Sequence, residues 1–209
     1  GRGVQYALQE FFRHADDVAA AGLSGTLDGK RIVVQGLGNV GYHAAKFLSE
    51  EDGTKIIGVA ERDGVVFDPA GLDIEALKQH LMAGEPLAAF PAAEFSPNGA
   101  IGLEHDCDIL IPAACESVIT YANAHRVKAN VIIEAANGPV TAEANDILLE
   151  RGCTIIPDLF ANAGGVTVSY FEWAKNISHM RFGRMQRRQE EARSQSSLME
   201  ALCDVVVVR

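Results

Sequence analysis

Residues 30–41 read Lys-Arg-Ile-Val-Val-Gln-Gly-Leu-Gly-Asn-Val-Gly (KRIVVQGLGNVG). The first half is an apolar, β-branched run, the pattern of a strand buried on both faces. The second half is G-x-G-x-x-G, and a helical stretch follows it to about Glu50. A lone G-x-G-x-x-G is weak evidence. A strand before it and a helix after it supply the context of a dinucleotide-binding fingerprint. In that context Gly36 permits the tight turn, Gly38 lets the backbone approach a pyrophosphate, and Gly41 allows close helix–strand packing. The helix start at Asn39-Val40 offers free N–H groups and a positive dipole end to phosphates. The competing reading is a glycine-rich connection that holds no nucleotide.

Working outward, Lys55–Glu61 (KIIGVAE) is a second buried strand that ends on a carboxylate. An acidic residue at this strand end accepts hydrogen bonds from the adenosine ribose hydroxyls and repels a 2′-phosphate. Glu61 therefore favours NAD. Arg62 points the other way, since a guanidinium pairs with phosphate and would admit NADP; its alternative is a solvated turn residue. Asp63-Gly64 predicts a hairpin into Val65-Val66-Phe67. Asp73 is placed to cap a helix running to about Ala83.

Three more apolar strands are expected at Asp108–Ile111, Asn130–Glu134 and Thr154–Ile156. Helices are expected over Val4–Ala21, Thr120–Lys128, Thr141–Arg151 and residues 166–180. Residues 84–104 show no clear period. Alternating helices and continuously apolar strands imply an α/β fold: a Rossmann-like, doubly wound, mostly parallel sheet with helices on both faces. The organisation reads as a leading helix (1–27), a dinucleotide-binding domain (28–180) and an Arg-rich tail (181–209). The bland reading of that tail is a solvated helix face, against a binding patch.

Composition narrows the function classes. The 209 residues are 48% apolar and 22% charged, with a net charge of −10. Residues 1–180 carry 12 Lys+Arg against 24 Asp+Glu. So acidic a body argues against nucleic acid as a partner. No apolar run is long enough to span a membrane. Cys107, Cys115, Cys153 and Cys203 form no C-x-x-C pair and have no His at ligand spacing. No metal site is expected, and the cysteines read as small core residues in a reducing compartment. The chain opens on Gly1 without methionine and stops on VVVVR, so both ends read as cut.

Ligands of open α/β sheets sit at the carboxyl ends of the strands. Ala113-Ala114 and Ala136-Asn137-Gly138 follow two such ends. Small residues there leave room for rings, and an Asn amide both donates and accepts. Asn137 and Asn162 each have an ordinary turn role as the alternative. Val166 and Ser169 are three apart on one helix face; Ser169 alone is more often a plain helix hydroxyl.

The opening Gly1-Arg2-Gly3-Val4, the GLGNVG loop, ILIPAA (109–114), EAANGPVT (134–141) and PDLFANAGGVTVSYFEWAKN (157–176) resemble the glutamate dehydrogenase (Glu/Leu/Phe/Val dehydrogenase) family. They lie in the family's order across nearly all of residues 1–180, and the last motif is highly specific. The hairpin region 61–73 and the FGRM stretch after 181 resemble the branch with a longer C-terminal insertion. The resemblance implies the dinucleotide-binding half of an NAD(P)-dependent amino-acid dehydrogenase. On that implication Gly36, Gly38, Asn39, Val40 and Gly41 hold the pyrophosphate, and Glu61 holds the adenosine ribose. Ala114, Asn137 and Asn162 line the nicotinamide and its ribose. Val166 and Ser169 touch the substrate, with Ser169 bonding the distal carboxylate of L-glutamate or 2-oxoglutarate. Leucine-type relatives carry an apolar residue at the Ser169 position, so the hydroxyl argues against a branched or aromatic substrate.

The family's glycine-rich lysine motif and aspartate motif are absent from this sequence. The resemblance therefore implies no catalytic residue in this fragment, and a separate N-terminal domain that supplies the acid–base groups. It also implies a homohexamer at full length, in the cytoplasm or, alternatively, the mitochondrial matrix. A different class, a stand-alone dinucleotide-binding sensing or interaction module, predicts the same binding. An upstream in-frame segment with a glycine-rich lysine motif in the encoding gene would separate the two.

Overall fold

The computed structural model describes residues 1–91 and 94–177. Two helices lead: α1 (Arg2–Arg13) and α2 (Ala15–Ala20). The expected single helix over Val4–Ala21 is thus interrupted at His14, whose backbone leaves the helical region (φ −101°, ψ 89°); no glycine or proline marks the break. Strand β1 (Arg31–Gln35) and helix α3 (Asn39–Asp52) flank the glycine loop. Then come β2 (Lys55–Glu61), β3 (Gly64–Phe67) and α4 (Ile74–Met82). Asp73 caps α4 as the sequence predicts, its Oδ1 accepting the Ala76 N–H at 2.9 Å.

The aperiodic stretch 84–104 holds a short strand, β4 (Glu94–Ser96), and helix α5 (Ala100–Glu104). Strand β5 (Ile109–Pro112) follows. The expected helix over Thr120–Lys128 is only one 3₁₀ turn, Ala124–Arg126. Asn123 explains the difference: its Oδ1 accepts the Thr120 N–H at 2.7 Å and its Nδ2 donates to the Val118 carbonyl at 2.8 Å. Such local side-chain bonds give the backbone an alternative to a helix. The chain continues through β6 (Val131–Ile133), α6 (Ala142–Glu150), β7 (Thr154–Ile156), α7 (Asp158–Ala161) and α8 (Ala163–Ile177). Helix α8 takes in Gly164-Gly165 rather than starting after them. The Arg-rich tail lies outside the described residues.

The fold is α/β and Rossmann-like. Seven strands form one sheet in the order β4-β3-β2-β1-β5-β6-β7. The β1 pairings with β2 and β5, and the β6 pairings with β5 and β7, are parallel. Among the described residues the antiparallel pairings are those of β3, with β2 across the Asp63-Gly64 turn and with β4 at the sheet edge. Alternate strand residues enter two separate cores. Ile32, Val34, Ile109, Ile111, Val131 and Ile133 pack with Leu8 of α1, Leu48 of α3 and Leu77 of α4. Val33, Leu110 and Ile132 pack on the other face with Leu103 of α5 and Leu148 of α6. Burying each such side chain contributes about 1.5–3 kcal/mol, which is why the strands read as unbroken apolar runs.

The chain divides into two compact units, 1–166 and 167–209. The sheet and the leading helices belong to the first. The second is described through Thr167–Ile177, the rest of α8, none of whose residues is buried. No described helix is long and apolar enough to cross a membrane.

Candidate functional site

Strand order reverses direction at β1, with β2 on one side and β5 on the other. Connections leaving β1 and β5 diverge there, and a crevice opens at the carboxyl edge. The glycine loop stands in this crevice. Gly36 has φ +88° and donates its N–H to the Ala60 carbonyl at 2.7 Å. A Cβ at Gly36 would stand 2.7 Å from Ala114 Cβ, and one at Gly41 would stand 1.8 Å from the Gly36 carbonyl oxygen. Both glycines are thus required by the protein's own packing. Gly38 differs: a Cβ there would meet no protein atom within 4 Å. Its missing side chain leaves open space outside the loop.

Gly38 is also the N-cap of α3 and carries no side-chain cap. The first amide of the helix to find a partner is that of Tyr42, which donates to the Gly38 carbonyl at 3.0 Å. The N–H groups of Gly38, Asn39, Val40 and Gly41 donate to no protein group among the described residues. An open cradle with free donors and a helix-dipole end is suited to an anionic ligand.

Glu61 ends β2 beside this loop, and its Oε1 accepts the Leu37 N–H at 2.5 Å. A cleft of about 650 Å³ opens next to it, lined by Gly36, Glu61, Arg62, Asn98, Ala114 and Cys115. Arg62 is exposed at its rim, and so is Cys115, which is not the core residue expected of it because it follows the end of β5 into the open crevice; Cys107 and Cys153 are buried. A second cleft, about 520 Å³, is lined by Val40, Ala114, Ala136, Asn137, Asn162 and Val166. Ala114 lines both. The Asn162 Nδ2 donates to Asn137 Oδ1 at 2.7 Å, so the two asparagines hold each other. Ser169 lies in the second unit, three residues after Val166 on α8.

Three charged residues escape the sequence reading. Lys78 of α4 donates to the Leu37 carbonyl at 2.8 Å. Glu134, buried at the end of β6, accepts the Asp158 N–H at 3.0 Å, and burial pushes its carboxyl above the usual range. Asp158 in turn accepts the Gly138 N–H at 2.9 Å and ties α7 to the Asn137 loop. No local pattern announces these contacts, because the partners are 20–41 residues apart. Among the described residues no group of His, Cys, Asp and Glu is arranged to hold a metal.

Residues 1–207 match the family model for glutamate/leucine/phenylalanine/valine dehydrogenases. The chain belongs to this family. It is 53% identical over 193 residues to a probable glutamate dehydrogenase of Sinorhizobium fredii, covering 91% of this chain and 43% of that protein. It is 49% identical over 200 residues to the mitochondrial glutamate dehydrogenase of Dictyostelium discoideum, covering 96% and 39%. The solved hetero-hexameric glutamate dehydrogenase of Thermus thermophilus superposes with a TM-score of 0.70 at 28% identity, over 97% of this chain and 45% of that one. This dehydrogenase-family chain spans less than half the length of these relatives. Its GLGNVG loop, ILIPAA and EAANGPVT all converge on the crevice just described.

Proposed function

We propose that the chain is the NAD(P)-binding half of a glutamate dehydrogenase. The whole protein would interconvert L-glutamate with 2-oxoglutarate and ammonia. The observation that carries the reading is the cradle: free amides at Gly38–Gly41, open space at Gly38, and a carboxylate at Glu61 beside a cleft of nucleoside size.

The residues fit a dinucleotide in this way. The amides of Gly38–Gly41 would hold the pyrophosphate, and the Glu61 oxygen not engaged by Leu37 would accept from the adenosine ribose. Ala114, Asn137 and Asn162 would line the nicotinamide end, where the small alanine leaves room for a ring. Val166 and Ser169 would meet the substrate side chain. The bound nicotinamide supplies the hydride acceptor. Acid–base groups that move the substrate's protons, and lysines that grip its carboxylates, would come from the part of the protein outside these 209 residues. Assembly into a hexamer is carried over from the resemblance, and the hetero-hexameric glutamate dehydrogenase of Thermus thermophilus supports it.

Fluorescence titration with NADH and NADPH tests the reading. NADH should bind tighter. Glu61→Ala should weaken NADH by about 1.5–3 kcal/mol, the size of hydrogen bonds to a charged group. Glu61→Gln retains an acceptor for Leu37 and removes the charge that repels a 2′-phosphate, so NADPH should gain relative to NADH. A wild-type preference for NADPH would assign the rim to Arg62 instead. The 209-residue chain alone should show no glutamate oxidation, since near-attack geometry and a base are both missing. Turnover by purified chain, lost in Ser169→Ala, would overturn the half-enzyme reading.

A further inference from the structure

Leu37 sits between two charged side chains that belong to different elements. Its N–H donates to Glu61 Oε1 at the end of β2, and its carbonyl accepts from Lys78 Nζ on α4. Its side chain is buried, 2% exposed, and cannot itself adjust. Each bond fixes more than Leu37. A trans peptide is planar, and its C=O and N–H point in opposite directions; no described peptide is cis. When Glu61 draws the Leu37 N–H toward β2, the Gly36 carbonyl must face away, and it is found packed against Gly41. When Lys78 draws the Leu37 carbonyl toward α4, the Gly38 N–H must face the other way. That N–H is the first of the free donors in the cradle.

The next residue is a glycine, for which a turned-over peptide costs little sterically. Something other than sterics has to hold the Leu37–Gly38 peptide in one orientation. Lys78 is itself held. Its Nζ lies 5.5 Å from the centre of the Tyr42 ring, and Tyr42 is tied to α4 by its hydroxyl, which donates to Glu75 at 2.6 Å. Lys46 reaches the same Glu75 oxygen at 2.8 Å. Helix α4 is thereby pinned to the first two turns of α3, on which the cradle is built.

We infer that Lys78 is a positioning residue for dinucleotide binding: it sets the Leu37–Gly38 peptide so that the Gly38 N–H points at the pyrophosphate. The inference rests on the dinucleotide-binding reading above. The effect should therefore follow the phosphates. In Lys78→Met, NADH and ADP-ribose should bind about tenfold weaker, the low end for one charge-assisted hydrogen bond. Adenosine, followed by NMR titration, should bind within twofold of wild type. Lys78→Arg, which restores a cationic donor, should recover most of the loss. Lys78→Leu, which likewise has no donor, serves the same comparison if the methionine variant folds poorly. Lys78→Met binding NADH within twofold of wild type overturns the inference while leaving the dinucleotide reading intact. So does an equal loss for adenosine, which marks a merely structural residue. Wild-type chain that binds neither NADH nor NADPH overturns the dinucleotide reading itself.

Discussion

At the β1–β2 side of the carboxyl edge, the glycine loop is held by ionic groups from three elements: Glu61 from β2, Lys78 from α4, and the Lys46–Glu75 pair joining α3 to α4. At the β5–β6 side, the Asn137 loop is held by a carboxylate from α7, Asp158 on the Gly138 amide, and by the neutral bond of Asn162 to Asn137, with no lysine brought to it among the described residues. The first side surrounds its own cleft with residues of this chain. The second leaves Val166 70% exposed, with Leu159 and Phe160 exposed behind it. The difference matches the division of labour proposed above. On that proposal the adenosine end of a dinucleotide would be recognised by this half alone and would need a preformed cradle. On the same proposal the nicotinamide end would meet a substrate enclosed by both halves, so its walls would be less complete in this chain.

The largest expected effect tests whether the loop's shape and its ligand are separable. Gly41→Val places a side chain against the Gly36 carbonyl, so the loop must move. NADH affinity should fall about 100-fold, equivalent to ~2.7 kcal/mol, and the melting temperature should fall with it. Gly38→Ala meets no protein atom. It should fold with an unchanged melting temperature and still lose NADH affinity, because its methyl group would enter the space proposed for the pyrophosphate. If Gly38→Ala binds NADH normally, the open space at Gly38 has no bearing on the ligand and the cradle loses its meaning.

A smaller effect is expected on the β5–β6 side. Asn162→Ala removes the bond to Asn137 and the 3.4 Å contact with the Ala136 carbonyl. Both are neutral, so stability and NADH affinity should each change by about 1 kcal/mol or less. Denaturant midpoints and the same titrations check this. A loss as large as that of Glu61→Ala would mean the two sides carry equal shares of dinucleotide recognition in this chain.

Much of the β1–β2 side is legible in the sequence. The strand–GLGNVG–helix run, the hairpin at Asp63-Gly64 and the Asp73 cap are local patterns with local causes. Thr141 belongs with them, its side chain accepting the Ala144 N–H at the start of α6. What stayed hidden depends on contacts across the chain. Strand β4 is three residues with no alternation, and it exists because Val65–Phe67 offer it an edge to pair with. The lost helix at Thr120–Lys128 turns on the two bonds of one asparagine. Lys78 sits 41 residues from the carbonyl it holds, and on α4 it reads as one more solvated lysine. Glu134 reads as the polar end of an apolar strand until the fold closes over it.

The smallest effects concern pH, and the two sides should respond with opposite sign. On the β1–β2 side, the Lys46 ammonium, then the Tyr42 hydroxyl, pull the Glu75 carboxyl from 4.5 down to about 2. A group whose folded pKa is depressed stabilises the protein above its unfolded value and loses that contribution as pH falls. The α3–α4 tie should therefore weaken between pH 4.5 and about 2. Glu75→Gln should be less stable than wild type near pH 6, with the gap closing toward pH 2. On the β5–β6 side, burial raises Glu134 above 4.5, against the Asp158 N–H that favours its charge. Its contribution is full below 4.5 and is lost as pH rises through the raised value. Glu134→Gln should therefore gain on wild type as pH rises, the reverse of Glu75→Gln. Denaturant unfolding from pH 2 to 7, read as the difference between each variant and wild type, resolves both trends. Curves of the same sign would show that one of these carboxylates is held by a different balance of burial and charge. Opposite signs would mean that acid loosens the tie beneath the glycine loop while relieving the strand end beneath the Asn137 loop.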